Sequence, residues 1–123
     1  MIHIDTSALI ESLSGTKRAA SRLRQLIESG EQLLVTSIVL YEWLRGPRRP
    51  EELLAQEALL PRDQAVGFGS REAVIAAELY RSLPSARGRE IDLAIAACAL
   101  ASDAALWTLN TSDFQDIPGL RLI

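Results

Sequence analysis

The 123-residue sequence contains a single cysteine and a single histidine, and this scarcity argues against several kinds of chemistry. The lone cysteine, Cys98, cannot form an internal disulfide, and its apolar neighbours favour a buried structural thiol. A zinc centre is not expected, because such sites draw mainly on cysteine and histidine. A catalytic thiol–imidazole pair is also disfavoured, since His3 lies far from Cys98 in the sequence.

Long apolar runs are missing as well. No stretch approaches the ~20 apolar residues that cross a bilayer, and the N-terminus lacks a basic segment followed by an apolar one. Hydrophobic residues make up 48% of the chain and charged residues 24%, which is typical of globular proteins. We therefore expect a folded cytoplasmic protein without membrane contact, and the length predicts one domain over residues 1–123.

Strand-like and helix-like segments alternate along the chain. The predicted strands are Ile2–Ile4, Leu33–Thr36, a weak Ala65–Phe68, Ala105–Leu109 and Leu120–Ile123. The predicted helices are Ala8–Leu13, Thr16–Ser29, Ile38–Arg45 capped by Ser37, one after Pro50, Arg71–Leu83 and Glu90–Ser102. Strands separated by helices predict an α/β fold with a mainly parallel sheet and helices on both faces.

Three acids stand among apolar residues, where burying an unpaired carboxylate is costly. The first is Asp5, which ends the first predicted strand. Ligands of parallel sheets gather at the carboxyl ends of the strands, which favours a functional role. The alternative is that Asp5 caps the next helix, although Thr6 and Ser7 could do so equally well.

The other two acids, Glu42 and Asp92, each interrupt an apolar helix. Glu42 is the only charge in residues 38–44, and that helix is expected to be buried on most of its circumference. A pair between Glu42 and Arg45 would contribute only ~0.2–0.5 kcal/mol, although partial exposure would remove the difficulty. Asp92 could interact favourably with the dipole at the N-terminus of its helix, but Glu90 already supplies a negative charge there. We therefore expect Asp92 to face a polar site at the end of the sheet.

A fourth acid is expected where the segment 108–114 leaves a strand and turns into a short helix. Asp113 lies there, with Asp116 as the alternative, and either could be an ordinary surface acid. Acids without histidine or cysteine suit Mg²⁺ or Mn²⁺, which prefer oxygen ligands. Such ions activate water and orient a phosphodiester, so no protein nucleophile is required.

The net charge of −3 argues against a nucleic-acid partner. Cations bound to four carboxylates would, however, make the remaining charge slightly positive. Arg45 lies one turn from Glu42, and Arg89 lies shortly before Asp92, so both are expected to contact phosphates. The alternative for these arginines is solvated surface charge.

Together these segments resemble a PIN domain, and in particular the VapC-type toxins of bacterial and archaeal toxin–antitoxin systems. The similar segments are Ile4–Ser7, Ser37–Glu42, Asp92–Ala97 and the T-x-N-x-x-D-F pattern at 108–114. Each segment alone is weakly specific. Their order and spacing within 123 residues make the resemblance specific, and it covers nearly the whole chain.

The resemblance implies a three-layer α/β/α PIN-like domain and a metal-dependent endoribonuclease. It further implies a homodimer that acts on RNA such as tRNA and is held inactive by a VapB-type antitoxin. By position, Asp5 and Asp92 would be the principal ligands of Mg²⁺ or Mn²⁺, Glu42 a further ligand or an orienter of water, and Asp113 the C-terminal acid. The expected RNA contacts are Arg45, Arg89, Thr6, Ser7 and Asn110.

Asn110 departs from the family pattern, because many PIN domains have an acid at that position. The fourth acidic role could therefore fall to Asp113 or Asp116, or be partly lost to Asn110. This departure leaves open a catalytically weak PIN scaffold that binds RNA or a protein partner. A haloacid-dehalogenase-type phosphatase is disfavoured, because it needs a second aspartate where this chain has Ser7.

Overall fold

The computed structural model describes every residue from Met1 to Ile123. Its sheet has three parallel strands in the order β2-β1-β3: β1 (Ile2–Ile4), β2 (Leu33–Leu34) and β3 (Ala105–Trp107). Its helices are α1 (Thr6–Leu13), α2 (Ala20–Glu28), α3 (Ser37–Arg45), α4 (Pro50–Leu59), α5 (Ser70–Ser82) and α6 (Glu90–Ala101). Two short 3₁₀ helices span Arg62–Gln64 and Thr111–Asp113.

The central strand β1 is buried at every residue. Because successive side chains of a strand point to opposite faces, this burial requires helices on both sides of the sheet. The alternation of strands and helices in the sequence predicted helices on both faces of the sheet. The predicted α/β fold with a parallel sheet is confirmed.

The helix α6 is the most deeply buried helix, with every residue from Leu93 to Ala99 buried. Small side chains, such as Ala96 and Ala99, allow this helix to pack closely on all sides, and α5 lies along it. Its first turn lies beyond this buried segment. Asp92 is therefore partly exposed and lies directly before the buried part of this helix.

Two predicted strands are wrong. The segments 65–68 and 120–123 each contribute only an isolated parallel bridge, Thr36 with Val66 and Leu106 with Leu122. The first segment continues into an exposed stretch that contains Gly67 and Gly69, so its pairing cannot extend. None of the helices is both long and apolar enough to cross a membrane.

Several helix boundaries also differ from the prediction. The helix α2 begins at Ala20 rather than Thr16, because Lys17 adopts a left-handed conformation with φ of 55°. Thr36, rather than Ser37, caps α3: the Val39 amide donates to Thr36 Oγ1 at 3.0 Å. These shifts leave every candidate acid on the predicted type of element.

Candidate active site

Asp5 lies at the carboxyl end of β1 and is only 4% exposed. Its amide donates to the carbonyl of Trp107 at 2.8 Å, which continues the pairing of β1 with β3. Its carboxylate makes no hydrogen bond to the amides of α1, so the capping alternative is excluded. Instead, Oδ2 accepts from Thr108 Oγ1 at 2.7 Å and from Ser7 Oγ at 3.0 Å. The second oxygen, Oδ1, keeps its acceptor capacity for another partner.

Thr108 contacts the predicted site, and the sequence did not single it out. It is buried at the end of β3, and its hydroxyl both donates to Asp5 and accepts from the Asn110 amide at 3.0 Å. The strand register explains the contact, because Ile4 pairs with Trp107 and the next residues on both strands are therefore adjacent. A polar residue that directly follows an apolar strand was the available signal, but the strand pairing was needed to interpret it.

Glu42 faces the beginning of α1 from α3. Its Oε1 accepts from Thr6 Oγ1 at 2.5 Å, and its Oε2 lies 3.5 Å from Arg45 Nη2. The expectation that α3 is buried on most of its circumference is wrong, because Tyr41 and Leu44 are exposed and only Val39 and Trp43 are buried. The pair with Arg45 is half open to solvent and therefore weak. The short bond to Thr6 fixes the carboxylate more firmly.

Asp92 provides the clearest electrostatic sign that the acids converge. Burial first of all, and then the negative charges of Asp5, Asp113 and Glu42, together raise the pKa of Asp92 to about 6, although Arg89 opposes them. The other three predicted acids therefore lie within electrostatic range of Asp92, although they come from different parts of the chain. A cluster of like charges at this edge is unstable unless a cation or a proton offsets it.

The two candidates for the fourth acid, Asp113 and Asp116, have different surroundings. Arg89 binds both carboxylate oxygens of Asp116, at 2.6 and 2.9 Å, and these bonds hold the pKa of Asp116 below its usual range. Arg89 also donates to the backbone carbonyl of Asp113 at 2.9 Å, which leaves the Asp113 carboxylate unpaired and exposed. Asn110 is exposed, and only its backbone takes part in the site. Asp113 is thus the acid that remains available to the cluster.

The oxygen-only donor set fits Mg²⁺ or Mn²⁺ better than zinc. No three of the acids are close enough in this structure to form a closed metal cage. An open arrangement is compatible with Mg²⁺, because this ion keeps several waters and commonly uses only one or two carboxylates. The raised pKa of Asp92, which burial and the three neighbouring acids cause together, favours a bound cation here.

The residues expected to contact RNA are mostly engaged with the acids instead. The hydroxyls of Thr6 and Ser7 bind Glu42 and Asp5, so they position carboxylates. The guanidinium of Arg89 is bound to Asp116, and only 19% of its side chain is exposed. Arg45 is 59% exposed and is the more accessible of the two arginines. Direct RNA contact by Thr6, Ser7, Asn110 and the two arginines stays a prediction.

The lone histidine and cysteine lie outside the site. His3 is fully buried, its Nε2 lies 3.2 Å from Ser102 Oγ, and burial lowers its pKa to about 4. Burial raises the pKa of the Cys98 thiol to about 11, which keeps it protonated and unreactive. Neither residue has the chemistry of a nucleophile or a general base at neutral pH.

The chain is similar to known proteins over nearly its whole length. A family model described as PIN domain matches residues 2–120. The chain is 36% identical to "Ribonuclease VapC19" from Mycobacterium tuberculosis, over 96% of this chain and 95% of that protein. A VapBC2 structure from Rickettsia felis, bound to a DNA fragment from its promoter, superposes with a TM-score of 0.80 at 25% identity, covering 100% and 98% of the two chains. A DNA-bound VapBC structure from Salmonella typhimurium superposes with a TM-score of 0.80 at 23% identity, covering 99% and 96%.

Proposed function

Because the chain belongs to the PIN-domain family, we propose that it is a Mg²⁺- or Mn²⁺-dependent endoribonuclease and the toxin of a type II toxin–antitoxin pair. The observation that carries this proposal is the gathering of four acids from separate elements around Asp92. The similarity to a ribonuclease over nearly the full length of both chains supports the same activity.

Each acid has a distinct part in this proposal. Asp5 and Asp92 would be the principal ligands, with Glu42 and Asp113 as further oxygen donors. When bound, the cation supplies electrophilic activation of water and of the phosphodiester. Thr108 and Ser7 hold the Asp5 carboxylate in one orientation, and Thr6 does the same for Glu42. These residues reduce the reorganisation that substrate binding would otherwise require.

The proposed partners are an RNA such as tRNA, a VapB-type antitoxin and a second copy of the chain, in the cytoplasm. The structure leaves large apolar side chains exposed on α3 and α4, and others on or beside α5 and α6. The first group is Tyr41, Leu44, Leu53 and Leu54, and the second is Phe68, Val74, Tyr80 and Ile91. Exposed apolar patches of this kind are common at protein interfaces.

Expression in a bacterial host tests the toxin role. We expect induction of the wild-type chain to arrest growth, and the Asp92→Asn variant to be harmless at the same protein level. The product of an adjacent small gene should restore growth. If expression of the wild-type chain is harmless, the toxin role is contradicted.

A catalytically weak scaffold is the second candidate, and it is favoured by Asn110 and by the open spacing of the acids. It predicts RNA or protein binding without any metal-dependent product. Detection of cleaved RNA with the purified protein would exclude it.

The Thr108→Val variant tests how strongly the acids depend on their supports. Valine keeps the shape of threonine but removes the hydroxyl that donates to Asp5 and accepts from Asn110. We expect kcat to fall about 10- to 100-fold, as is typical when a group that orients a metal ligand is removed. Thr111→Val, at an exposed position nearby, is the matched control and should stay within about 2-fold of wild type. Equal rates for both variants would remove Thr108 from the site.

Substitution of the two C-terminal acids distinguishes their roles. We expect Asp113→Asn to lower cleavage about 10-fold more than Asp116→Asn, because Asp116 is already paired with Arg89. The comparison requires kcat for both variants at saturating Mg²⁺. The reverse ranking would transfer the fourth acidic role to Asp116.

A further inference from the structure

The segment 12–27 is the longest stretch of the chain without an acid, and it carries four cations: Lys17, Arg18, Arg22 and Arg24. This is a strong local excess in a chain whose net charge is −3. The arginines after Glu42 are largely engaged: Arg45 and Arg49 pair with neighbouring glutamates, and Arg48 lies 4.2 Å from the centre of the Trp43 ring. In the segment 12–27, which leads from the end of α1 through most of α2, only Arg18 forms an ion pair.

Two of these cations line an open cavity of about 370 Å³. Its walls are Arg18, Ala19, Arg22, Trp107 and Leu109. Ala19 and Trp107 are buried and form a fixed floor, whereas 37% of Leu109 is exposed. The cavity thus combines two guanidinium groups with one accessible apolar side chain. A nucleotide presents the complementary groups, a phosphate and an apolar sugar or base face.

Two residues that line the cavity flank Thr108, a residue of the acid site. The carbonyl of Trp107 accepts from the Asp5 amide at 2.8 Å, and the Leu109 amide donates to Ser7 Oγ at 3.0 Å. The residue between them, Thr108, holds the Asp5 carboxylate. A single short segment therefore forms the wall of the cavity on one side and the support of Asp5 on the other.

The two arginines have only weak contacts within the protein. Arg18 Nε lies 2.9 Å from Glu11 in a pair whose arginine is 69% exposed, and Arg22 contacts only the amide oxygen of Gln25, at 3.0 Å. Exposed ion pairs of this kind contribute little to stability, so a phosphate can replace them. Guanidinium groups also match phosphate oxygens in a two-pronged geometry.

We propose that this cavity is a subsite for RNA, in which Arg18 and Arg22 bind the phosphate of a nucleotide next to the scissile bond while Leu109 contacts its sugar or base. The subsite rests on the proposed ribonuclease function and adds to it the path of the bound RNA across the surface. The bound RNA would then run from the acids past the end of β3 towards the beginning of α2. This surface differs from the arginines near Glu42 and Asp92 that the sequence singled out.

Binding of a short fluorescein-labelled single-stranded RNA in chelator tests the subsite without cleavage. The Arg18→Ala/Arg22→Ala double variant should bind about 10-fold more weakly than wild type. The slope of log K against log salt should become shallower by about 0.7 for each phosphate that the variant no longer neutralises. A lysine double variant should lie between the two, because it keeps the charge but lacks the planar fork.

Arg62→Ala is the matched control, since Arg62 is also exposed and paired with a single glutamate, Glu57. It should bind RNA as wild type does. In Mg²⁺, the double variant should show a raised KM with kcat within about 2-fold, as expected when substrate binding alone is weakened. Thermal melts of the double variant should match those of wild type, because both replaced residues are exposed.

The outcomes separate the subsite from the proposed function. Unchanged affinity and slope in the double variant would overturn the subsite even if the wild type cleaves RNA. An equal loss of RNA affinity in Arg62→Ala would show that only the overall charge matters, and it would overturn the subsite as well. Weakened binding of poly-glutamate with unchanged RNA binding would assign the cavity to an acidic peptide. If RNA binding weakens as expected but no variant cleaves, the subsite stands and the ribonuclease proposal fails.

Discussion

Asp92→Asn is expected to lower RNA cleavage by about 10³-fold or more. A bound cation stabilises the transition state by several kcal/mol, and the variant removes one of its principal ligands. The protein should remain folded, since asparagine has nearly the same shape. Cleavage of a labelled RNA at saturating Mg²⁺, compared with wild type and with the surface variant Asp63→Asn, measures the effect. Activity within about 10-fold of wild type would remove Asp92 from the catalytic centre.

The same variant should be more stable than wild type when chelator is present. Folding raises the pKa of Asp92 from 3.8 to about 6, so between these values the folded state binds more protons than the unfolded state. Stability of the wild type therefore falls as pH rises through this window, and the variant lacks this loss. Its melting temperature should exceed that of wild type above pH 6 and approach it near pH 4. A lower melting temperature above pH 6 would contradict the raised pKa of Asp92 in the folded protein.

Asp5→Asn is the second substitution with a large expected effect. The carboxylate is nearly buried and is held through Oδ2, and the asparagine oxygen can still accept from Thr108 and Ser7. We expect folding to be retained, but cleavage to fall by about 10³-fold because the charge facing the cation is removed. Mg²⁺ should raise the melting temperature of the wild type but not that of the variant, because only bound ligand stabilises the fold.

Asp103→Asn is the matched control for this measurement, because Asp103 is almost fully exposed and pairs only with Arg121. It should keep both cleavage and the Mg²⁺-dependent rise in melting temperature. A rise of equal size in Asp5→Asn would place the cation elsewhere.

The sequence predicted the principal acids because burial of an unpaired carboxylate is costly wherever the fold places it. For Asp5 and Asp92 the apolar context combined with the position at the strand end or helix start and with the family pattern, and the alternation of strands and helices predicted the edge of the sheet near which they lie; their roles as metal ligands stay predictions. The assignment of Glu42 rested partly on a wrong expectation, because α3 is more exposed than its apolar sequence suggested.

The remaining features of the site depend on contacts between distant parts of the chain. The pairing of Arg89 with Asp116 spans 27 residues, so the sequence could not separate Asp113 from Asp116. Thr108 became recognisable only once the register of β1 and β3 placed it beside Asp5. The basic segment 12–27 was visible in the sequence, but nothing in the sequence showed that it borders the end of β3.

RNA cleavage by the purified wild-type chain, with its metal removed and then restored, tests the central claim most directly. We predict no cleavage in chelator, recovery on addition of Mg²⁺ or Mn²⁺, and no recovery in the Asp92→Asn variant under the same conditions. Cleavage that persists in chelator, or that recovers equally in Asp92→Asn, would contradict a metal-dependent ribonuclease centred on these four acids.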